Sequence, residues 1–166
     1  MLYENTHCAV FIDPLAIADD PAFWSWANDR CRDHEVVVLE TIHFHRRSRE
    51  AFLARYSATT LAADSACPPH WGVEPHRLPA TDETVYWIPE HRALVPGDVL
   101  VGTGGGRLSL CAESWLEALS EQPTLAEMRA AVGTLGDLDV ELVLVSHGDP
   151  ALRDGRAELA RALDAP

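Results

Sequence analysis

The chain has 166 residues, of which 47% are hydrophobic, and its 26 acidic and 13 basic side chains give a formal net charge of −13. A single domain over residues 1–166, with a sizeable core, is the natural interpretation of this length. The acidic surface argues against binding along a nucleic-acid backbone. No stretch of about 18 residues is continuously apolar, which argues against a membrane partner or span.

The start of the chain, Met1–Asn5, has neither the basic nor the apolar region of a signal peptide. The four cysteines are widely separated and include no CxxC pair: Cys8, Cys31, Cys67 and Cys111. Free thiols are therefore expected, rather than a disulfide framework or a zinc ribbon. Together these features predict a cytoplasmic protein.

The first part of the chain predicts strands alternating with helices. Apolar runs predict strands at Thr6–Asp13 and Val36–Thr41, followed by a short parallel strand at Ala58–Ala62. Asp20 before Pro21 predicts a helix start, and a second helix is expected from about Ser48 to Tyr56. The strand at Thr6–Asp13 begins so early that no strand is expected before it.

The second part predicts mixed strand directions. The prolines within residues 66–76 argue against regular structure there. Two strands, Glu83–Ile88 and Ala93–Val95, predict an antiparallel hairpin. Later elements are a helix opened by a capping box at Thr124, an apolar strand at Val140–Val145 and a last helix after Asp154. Parallel βα units beside antiparallel pairs indicate an α/β protein with mixed sheets.

Three loops present metal-ligand side chains directly after an apolar strand. They carry His43 and His45, then Asp98, then His147. In open α/β sheets, ligands bind at the carboxyl ends of strands, and imidazole and carboxylate groups are the ligands of zinc, iron and manganese. Each residue also has a simpler interpretation, because a histidine at a strand end often finds a backbone partner and Asp98 follows a Pro-Gly turn.

The order of these motifs resembles that of the metallo-β-lactamase fold superfamily. The segments that carry the resemblance are VFIDP (Val10–Pro14), LETIHFHRRS (Leu39–Ser48), ALVPGDVLVG (Ala93–Gly102), LVLVSHGDP (Leu142–Pro150) and DGRAELARAL (Asp154–Leu163). The resemblance implies a four-layer αββα sandwich with mixed sheets, shortened here at its N-terminus. It also implies a metal site built from His43, His45, Asp98 and His147, and we expect the last three to point into one groove.

The sequence departs from the family pattern at the second metal position. Laying the H-x-H-x-D-H motif on His43 places Arg47 and Ser48 where the family has an aspartate and a histidine. A later family histidine is also missing near residues 79–81, and His76 lies nearby in a proline-bounded loop. Arg47 would repel a second cation, pair with Asp98 or bind an anionic ligand. The sequence therefore predicts either no metal or a single divalent ion, with zinc the expected one.

Two functional hypotheses follow from this incomplete motif. The favoured one is a degenerate, non-catalytic module that binds a small-molecule ligand or a partner. The alternative is a hydrolase of esters, amides or thioesters that uses one metal ion, with Asp98 in the catalytic site. A homodimer, or a partner chain covering the N-terminal edge, is also expected, because an uncovered first strand would invite pairing.

Overall fold

The computed structural model describes residues 1–16, 20–61 and 65–165. The chain divides into two compact units, Met1–Gly72 and Val73–Pro166, and the single-domain organisation stays a prediction. No helix in these described ranges is both long and apolar enough to cross a bilayer.

The first unit contains a four-stranded sheet. Its strands follow one another in the order β1 (Leu2–Glu4), β2 (Cys8–Ile12), β3 (Glu35–Leu39) and β4 (Thr59–Thr60). Strands β2, β3 and β4 are parallel, and β1 is antiparallel to β2. Strand β3 is central and paired on both sides, which explains its continuous apolar sequence. The short parallel strand is confirmed at β4, and Ala62 of the predicted range lies outside the described residues.

Strand β1 is a correction to the sequence analysis. It pairs with β2, with Leu2 opposite Phe11, so the region Thr6–Asp13 is an inner strand and not an edge. Three residues are too few to show a strand periodicity, and β1 was therefore missed. An exposed edge at β2 is therefore no longer a reason to expect a second chain there. A homodimer or partner chain stays a prediction.

Two helices belong to the first unit, α1 (Pro21–Cys31) and α2 (Arg49–Tyr56). The Asp20 carboxylate accepts hydrogen bonds from the backbone N–H groups of Ala22 and Phe23, which confirms the predicted N-cap. Buried side chains of the helices and of one sheet face form an aromatic cluster: Ala9, Phe11, Cys31, Val36, Val38 and Phe52. The Phe11 and Phe52 rings lie 4.6 Å apart at its centre.

Residues 73–165, the described part of the second unit, form six strands and three α-helices. In chain order these are β5 (Glu74–Arg77), β6 (Thr84–Ile88), β7 (Ala93–Val95), β8 (Leu100–Gly104), β9 (Arg107–Leu110), α3 (Glu113–Leu116), α4 (Leu125–Gly133), β10 (Leu142–Val143) and α5 (Gly155–Asp164). One sheet has the order β10-β7-β6-β5, with β10 parallel to β7 and the other pairs antiparallel, while β8 and β9 form a separate hairpin. The sheets are mixed, as predicted, and the capping box of Thr124 and Glu127 opens α4.

Two sequence predictions fail in the second unit. Strand β5 begins within the stretch expected to be irregular, residues 66–76, and ends one residue beyond it. It is an edge strand, and a proline is tolerated there because its missing N–H can face away from the sheet. The segment Val140–Val145 was expected to be a strand buried on both faces. Only Leu142–Val143 forms β10, which is also an edge strand, and several of its neighbours are half-exposed.

Candidate metal-ligand residues

In the first unit, the buried side chain of His45 is held by an aspartate on the neighbouring strand end. Its Nδ1 lies 2.9 Å from Oδ2 of Asp13 and 3.1 Å from the Thr41 hydroxyl. The other oxygen of Asp13 accepts the Thr41 backbone N–H at 2.8 Å. Only 2% of His45 and 8% of Asp13 is exposed, so the pair is shielded from water.

This contact fixes the tautomer and the orientation of the His45 ring. When Nδ1–H of the imidazole donates to the carboxylate, the neutral ring carries its lone pair on Nε2. Proteins commonly orient metal-binding histidines through such a carboxylate. Asp13 belongs to the segment Val10–Pro14, which carries part of the family resemblance, but no role was predicted for it from the sequence. The parallel pairing of β2 with β3, which brings Asp13 beside the loop of His45, was the signal that could have found it.

His43 does not share this environment. Residues His43–His45 form a single 3-10 turn, in which successive side chains rotate by about 120°. The loop is therefore not extended here, and the two imidazoles leave the turn in different directions. The His43 side chain is exposed and packs against the Phe44 ring at 3.8 Å. Its role as a metal ligand stays a prediction.

Arg47 and Ser48, at the family's second-metal positions, have distinct surroundings. Arg47 is exposed and has a positive φ of 31°, and its role in ligand binding stays a prediction. The Ser48 hydroxyl accepts the backbone N–H of Ala16 at 2.9 Å. Ser48 therefore ties two loops of the first unit together.

In the second unit, the structure brings the predicted residues Asp98 and His147 into contact. Oδ1 of Asp98 lies 3.1 Å from Nε2 of His147. Asp98 follows β7 and His147 follows β10, and these two strands are parallel neighbours. Their carboxyl ends therefore lie at the same edge of the sheet, which explains why residues 49 positions apart meet (147 − 98 = 49). The ring of Trp115 meets the His147 imidazole edge-to-face at a centroid distance of 5.4 Å.

A buried glutamate fixes the loop that carries Asp98. The Glu83 carboxylate accepts hydrogen bonds from three successive backbone N–H groups, those of Gly97 at 2.7 Å, Asp98 at 2.8 Å and Val99 at 3.0 Å. Burial raises the pKa of Glu83 to about 7, although these three donors act in the opposite direction. From the sequence, Glu83 was predicted only to begin a strand. Nothing in its local sequence marks the loop it would bind.

Two glycines allow the backbone near His147 to pack closely. Gly102 N–H donates to the His147 carbonyl at 2.8 Å. A Cβ on Gly148, which has a φ of +80°, would lie 2.0 Å from the Gly102 carbonyl oxygen. Only glycine fits at this approach, which sets the direction in which His147 leaves β10.

His76 lies in strand β5 rather than in the loop that the prolines predicted. It stands opposite Val85, and its Nε2 is buried without a hydrogen-bond partner among the described residues.

No family model and no curated protein matches this sequence. Solved structures do match it. The DIM-1 metallo-β-lactamase is 14% identical, with a TM-score of 0.69 over 98% of this chain and 83% of its own. The metallo-β-lactamase FIM-1 from Pseudomonas aeruginosa, solved in its mono-zinc form, is 17% identical, with a TM-score of 0.60 over 98% of this chain and 81% of its own.

A third structure widens the range of functions found with this fold. The chemotaxis sensor ODP, described as a peroxy diiron species, is 10% identical, with a TM-score of 0.68 over 99% of this chain and 85% of its own. At such low identities the likeness shows the fold and leaves the activity open. The fold class predicted from the sequence is confirmed: this chain has the fold of the metallo-β-lactamases.

Proposed function

We propose that this protein binds one divalent metal ion, zinc by preference, through His45, Asp98 and His147. The observation that carries the proposal is the buried hydrogen bond between Asp13 and His45. Besides binding the Thr41 backbone and hydroxyl, the Asp13 carboxylate fixes the His45 ring with its lone pair on Nε2, the form in which a neutral imidazole binds a metal. The mono-zinc form of FIM-1 offers a precedent in this fold.

The donor set fits one ion. Two imidazoles and one carboxylate form the ligand set of many catalytic zinc sites, and they leave the fourth position for water or substrate. Ligand atoms bound to one tetrahedral zinc at about 2.0–2.1 Å lie about 3.3 Å from each other. The 3.1 Å between Asp98 and His147 is close to that spacing.

A second ion would lack ligands. Arg47 is a permanent cation and Ser48 is engaged with the Ala16 backbone, so neither supplies the aspartate and histidine of the family motif. A fixed positive charge about 4–6 Å from a partly shielded cation costs on the order of a few kcal/mol. These residues support a one-metal site.

For the function we propose hydrolysis of an ester, amide or thioester. A bound divalent ion would polarise the acyl carbonyl and lower the pKa of coordinated water. The residues of the chain would orient the ligands: Asp13 holds the His45 ring, and Glu83 holds the backbone of Asp98. The exposed guanidinium of Arg47 would offer two parallel N–H donors to an anionic group of the substrate.

The second candidate is the non-catalytic module, in which the same metal and Arg47 hold an anionic ligand without reaction. The observation in its favour is the replacement of the family's second-metal ligands by Arg47 and Ser48. This candidate requires the same metal ligands as the hydrolase, and only turnover separates the two.

The test is elemental analysis of protein purified without chelator. His45→Ala, Asp98→Ala and His147→Ala should each lose one metal equivalent relative to wild type. The control His34→Ala, at a half-buried histidine outside the proposed set, should lose none. Unchanged metal content in any of the three ligand variants would refute the proposed set. His43→Ala, measured alongside, decides whether His43 contributes.

Metal-loaded wild type is then assayed on acyl esters, thioesters and amides, including a β-lactam. Turnover that disappears in His147→Ala supports the hydrolase. A metal-loaded protein that hydrolyses none of them but binds carboxylate or phosphate compounds in an Arg47-dependent manner supports the module instead.

A further inference from the structure

A second group of metal-ligand side chains lies within the first unit and has no part in the proposed function. Ligand atoms of Cys8, Glu35 and His70 all lie within 4.8 Å of one another. Nε2 of His70 is 2.9 Å from Oε2 of Glu35, and Sγ of Cys8 is 3.8 Å from the same oxygen. Three different ligand types therefore converge on one point.

The sheet itself places two of these side chains together. Cys8 and Glu35 are the first residues of β2 and β3 and stand opposite each other in the parallel ladder. Side chains alternate along a strand, so both point to the face opposite the aromatic cluster of Ala9, Phe11, Val36 and Val38. They lie at the amino ends of these strands, whereas Asp13 and His45 follow their carboxyl ends.

The third residue is brought in by Asn5. The Asn5 side-chain carbonyl accepts the backbone N–H of Cys8 at 2.9 Å, and its amide group donates to the carbonyls of His70 and Trp71, each at 3.1 Å. One side chain thus links the segment of Cys8 to the 3-10 turn Pro69–Trp71, 62 residues later. Because these hydrogen bonds need no metal, the three ligands are pre-positioned.

We propose that Cys8, Glu35 and His70 form a binding site for a single thiophilic divalent metal ion, of which zinc is the type. The thiolate and the carboxylate would neutralise the charge of the ion, and the His70 imidazole would supply a neutral third ligand. The fourth position would be taken by water. This proposal is independent of the function proposed above, since none of its ligands is shared with that site.

The distances suit such an ion after a small adjustment. Zinc bonds of about 2.3 Å to sulfur and 2.0–2.2 Å to nitrogen and oxygen place the ligand atoms about 3.3–3.7 Å apart. The distance of 3.8 Å between Cys8 Sγ and Glu35 Oε2 is close to this range. The distance between His70 Nε2 and Glu35 Oε2 would have to increase from 2.9 Å by a few tenths of an ångström. The Glu35 and His70 side chains are 36% and 49% exposed, so an ion can reach them from solvent, while Cys8 is buried.

An ion bound by these three side chains would displace one proton and one hydrogen bond. Burial, and next the charge of Glu35, raise the pKa of Cys8 to about 11, so its thiol is neutral. The hydrogen bond from His70 holds the pKa of Glu35 below its usual value. Binding would release the thiol proton and convert the Glu35–His70 hydrogen bond into two metal bonds.

Cobalt titration of the full-length Asp98→Ala/His147→Ala variant tests the proposal, because that background lacks two ligands of the other site. The residues of the other site include no cysteine. A near-ultraviolet thiolate-to-cobalt charge-transfer band that saturates at one cobalt per chain would therefore report Cys8. Zinc should displace the cobalt and abolish the band.

Two variants in this background complete the test. Cys8→Ser should abolish the band, whereas the matched buried-cysteine control Cys31→Ser should keep it. Because Cys8 is fully buried, a substitution there can disturb folding, so His70→Gln on the exposed side chain is the second probe. It should weaken cobalt binding by at least about tenfold. Absence of the band in a folded background, or a band that survives both Cys8→Ser and His70→Gln, overturns the proposal.

Discussion

Asp13 and His45 are 32 residues apart in sequence, and their side chains share a buried hydrogen bond of 2.9 Å between Oδ2 and Nδ1. The Thr41 backbone and hydroxyl complete the shell of the carboxylate. The carboxylate therefore accepts three hydrogen bonds, and this leaves the orientation of the His45 ring with little freedom.

The first prediction concerns this pair. Asp13→Asn removes one acceptor and turns an amide N–H₂ group toward one of the three donors, so the His45 ring loses its fixed tautomer and orientation. We expect the affinity for zinc at the proposed function site to fall by about 10–100-fold. Competition with a chromophoric chelator, in a Cys8→Ser background that removes the other proposed site, measures this change.

The control for this prediction is Asp29→Asn, which changes an exposed carboxylate of the same unit that pairs only at the surface with Arg32. In the Cys8→Ser background, Asp29→Asn should leave the zinc affinity unchanged. An Asp13→Asn variant that folds normally and keeps full affinity would show that Asp13 serves only the fold.

The second prediction concerns Glu83. Glu83→Ala leaves the N–H groups of Gly97, Asp98 and Val99 without their buried acceptor. We expect the free energy of unfolding to fall by about 2–4 kcal/mol, because unsatisfied buried donors are costly and their effects are not additive. Urea unfolding followed by tryptophan fluorescence measures this loss. The exposed Glu121→Ala should stay within about 0.5 kcal/mol of wild type, and an equal loss in both variants would contradict the role given to Glu83.

These two carboxylates show where sequence reasoning reached its limit. The strand β3 and the capped helices α1 and α4 follow from local patterns, namely an apolar run and N-cap residues, and the sequence identified them. Asp98 and His147 were found because each follows a strand and carries a ligand group. Asp13 and Glu83 act on loops 28 and 14 residues away, so their roles depend on strand pairing that no local pattern specifies.

The missed strands β1 and β5 have the same cause. Both are edge strands, one of three residues and one containing Pro75, and each is stabilised by its neighbour rather than by its own sequence. His43 was predicted as a ligand together with His45 because only one residue separates them. The 3-10 turn separates them, and short turns of this type have weak sequence signals.

The third prediction is a pH dependence at the capping box. Hydrogen bonds from the Thr124 backbone and hydroxyl hold the pKa of Glu127 below its ordinary value of 4.5. A carboxyl whose pKa is lowered by folding stabilises the protein above the unfolded pKa, and this contribution is lost as the pH falls through the folded one. Wild type should therefore exceed Glu127→Ala in stability at neutral pH, and the difference should shrink below about pH 4.5.

Urea unfolding across that range, at low protein concentration, checks the prediction. The exposed Glu117→Ala, whose residue has no role in the capping box, should show no such pH-dependent difference. A difference that grows on acidification would mean that the hydrogen bonds to Glu127 are absent in solution.

The last prediction concerns the close approach of Gly148 and Gly102 beside His147. Gly148→Ala places a Cβ at 2.0 Å from a backbone oxygen and at a positive φ of 80°. Neither the β8 strand nor the His147 peptide moves without breaking the hydrogen bond between Gly102 N–H and the His147 carbonyl. We therefore expect a loss of at least about 3 kcal/mol in the free energy of unfolding.

The matched control is Gly133→Ala at the end of α4, where a Cβ meets nothing within 4 Å. Alanine at this position should stabilise the protein by about 0.5–1 kcal/mol, since the unfolded chain loses freedom and the helix gains a better former. Thermal and urea unfolding of both variants show whether each substitution raises or lowers the free energy of unfolding.

In variants that remain folded, Gly148→Ala should also lower zinc affinity at the proposed function site, because the peptide that carries His147 has moved. Gly133→Ala should leave this affinity unchanged. A Gly148→Ala protein of wild-type stability would show that β8 and the His147 loop do not pack this closely in solution.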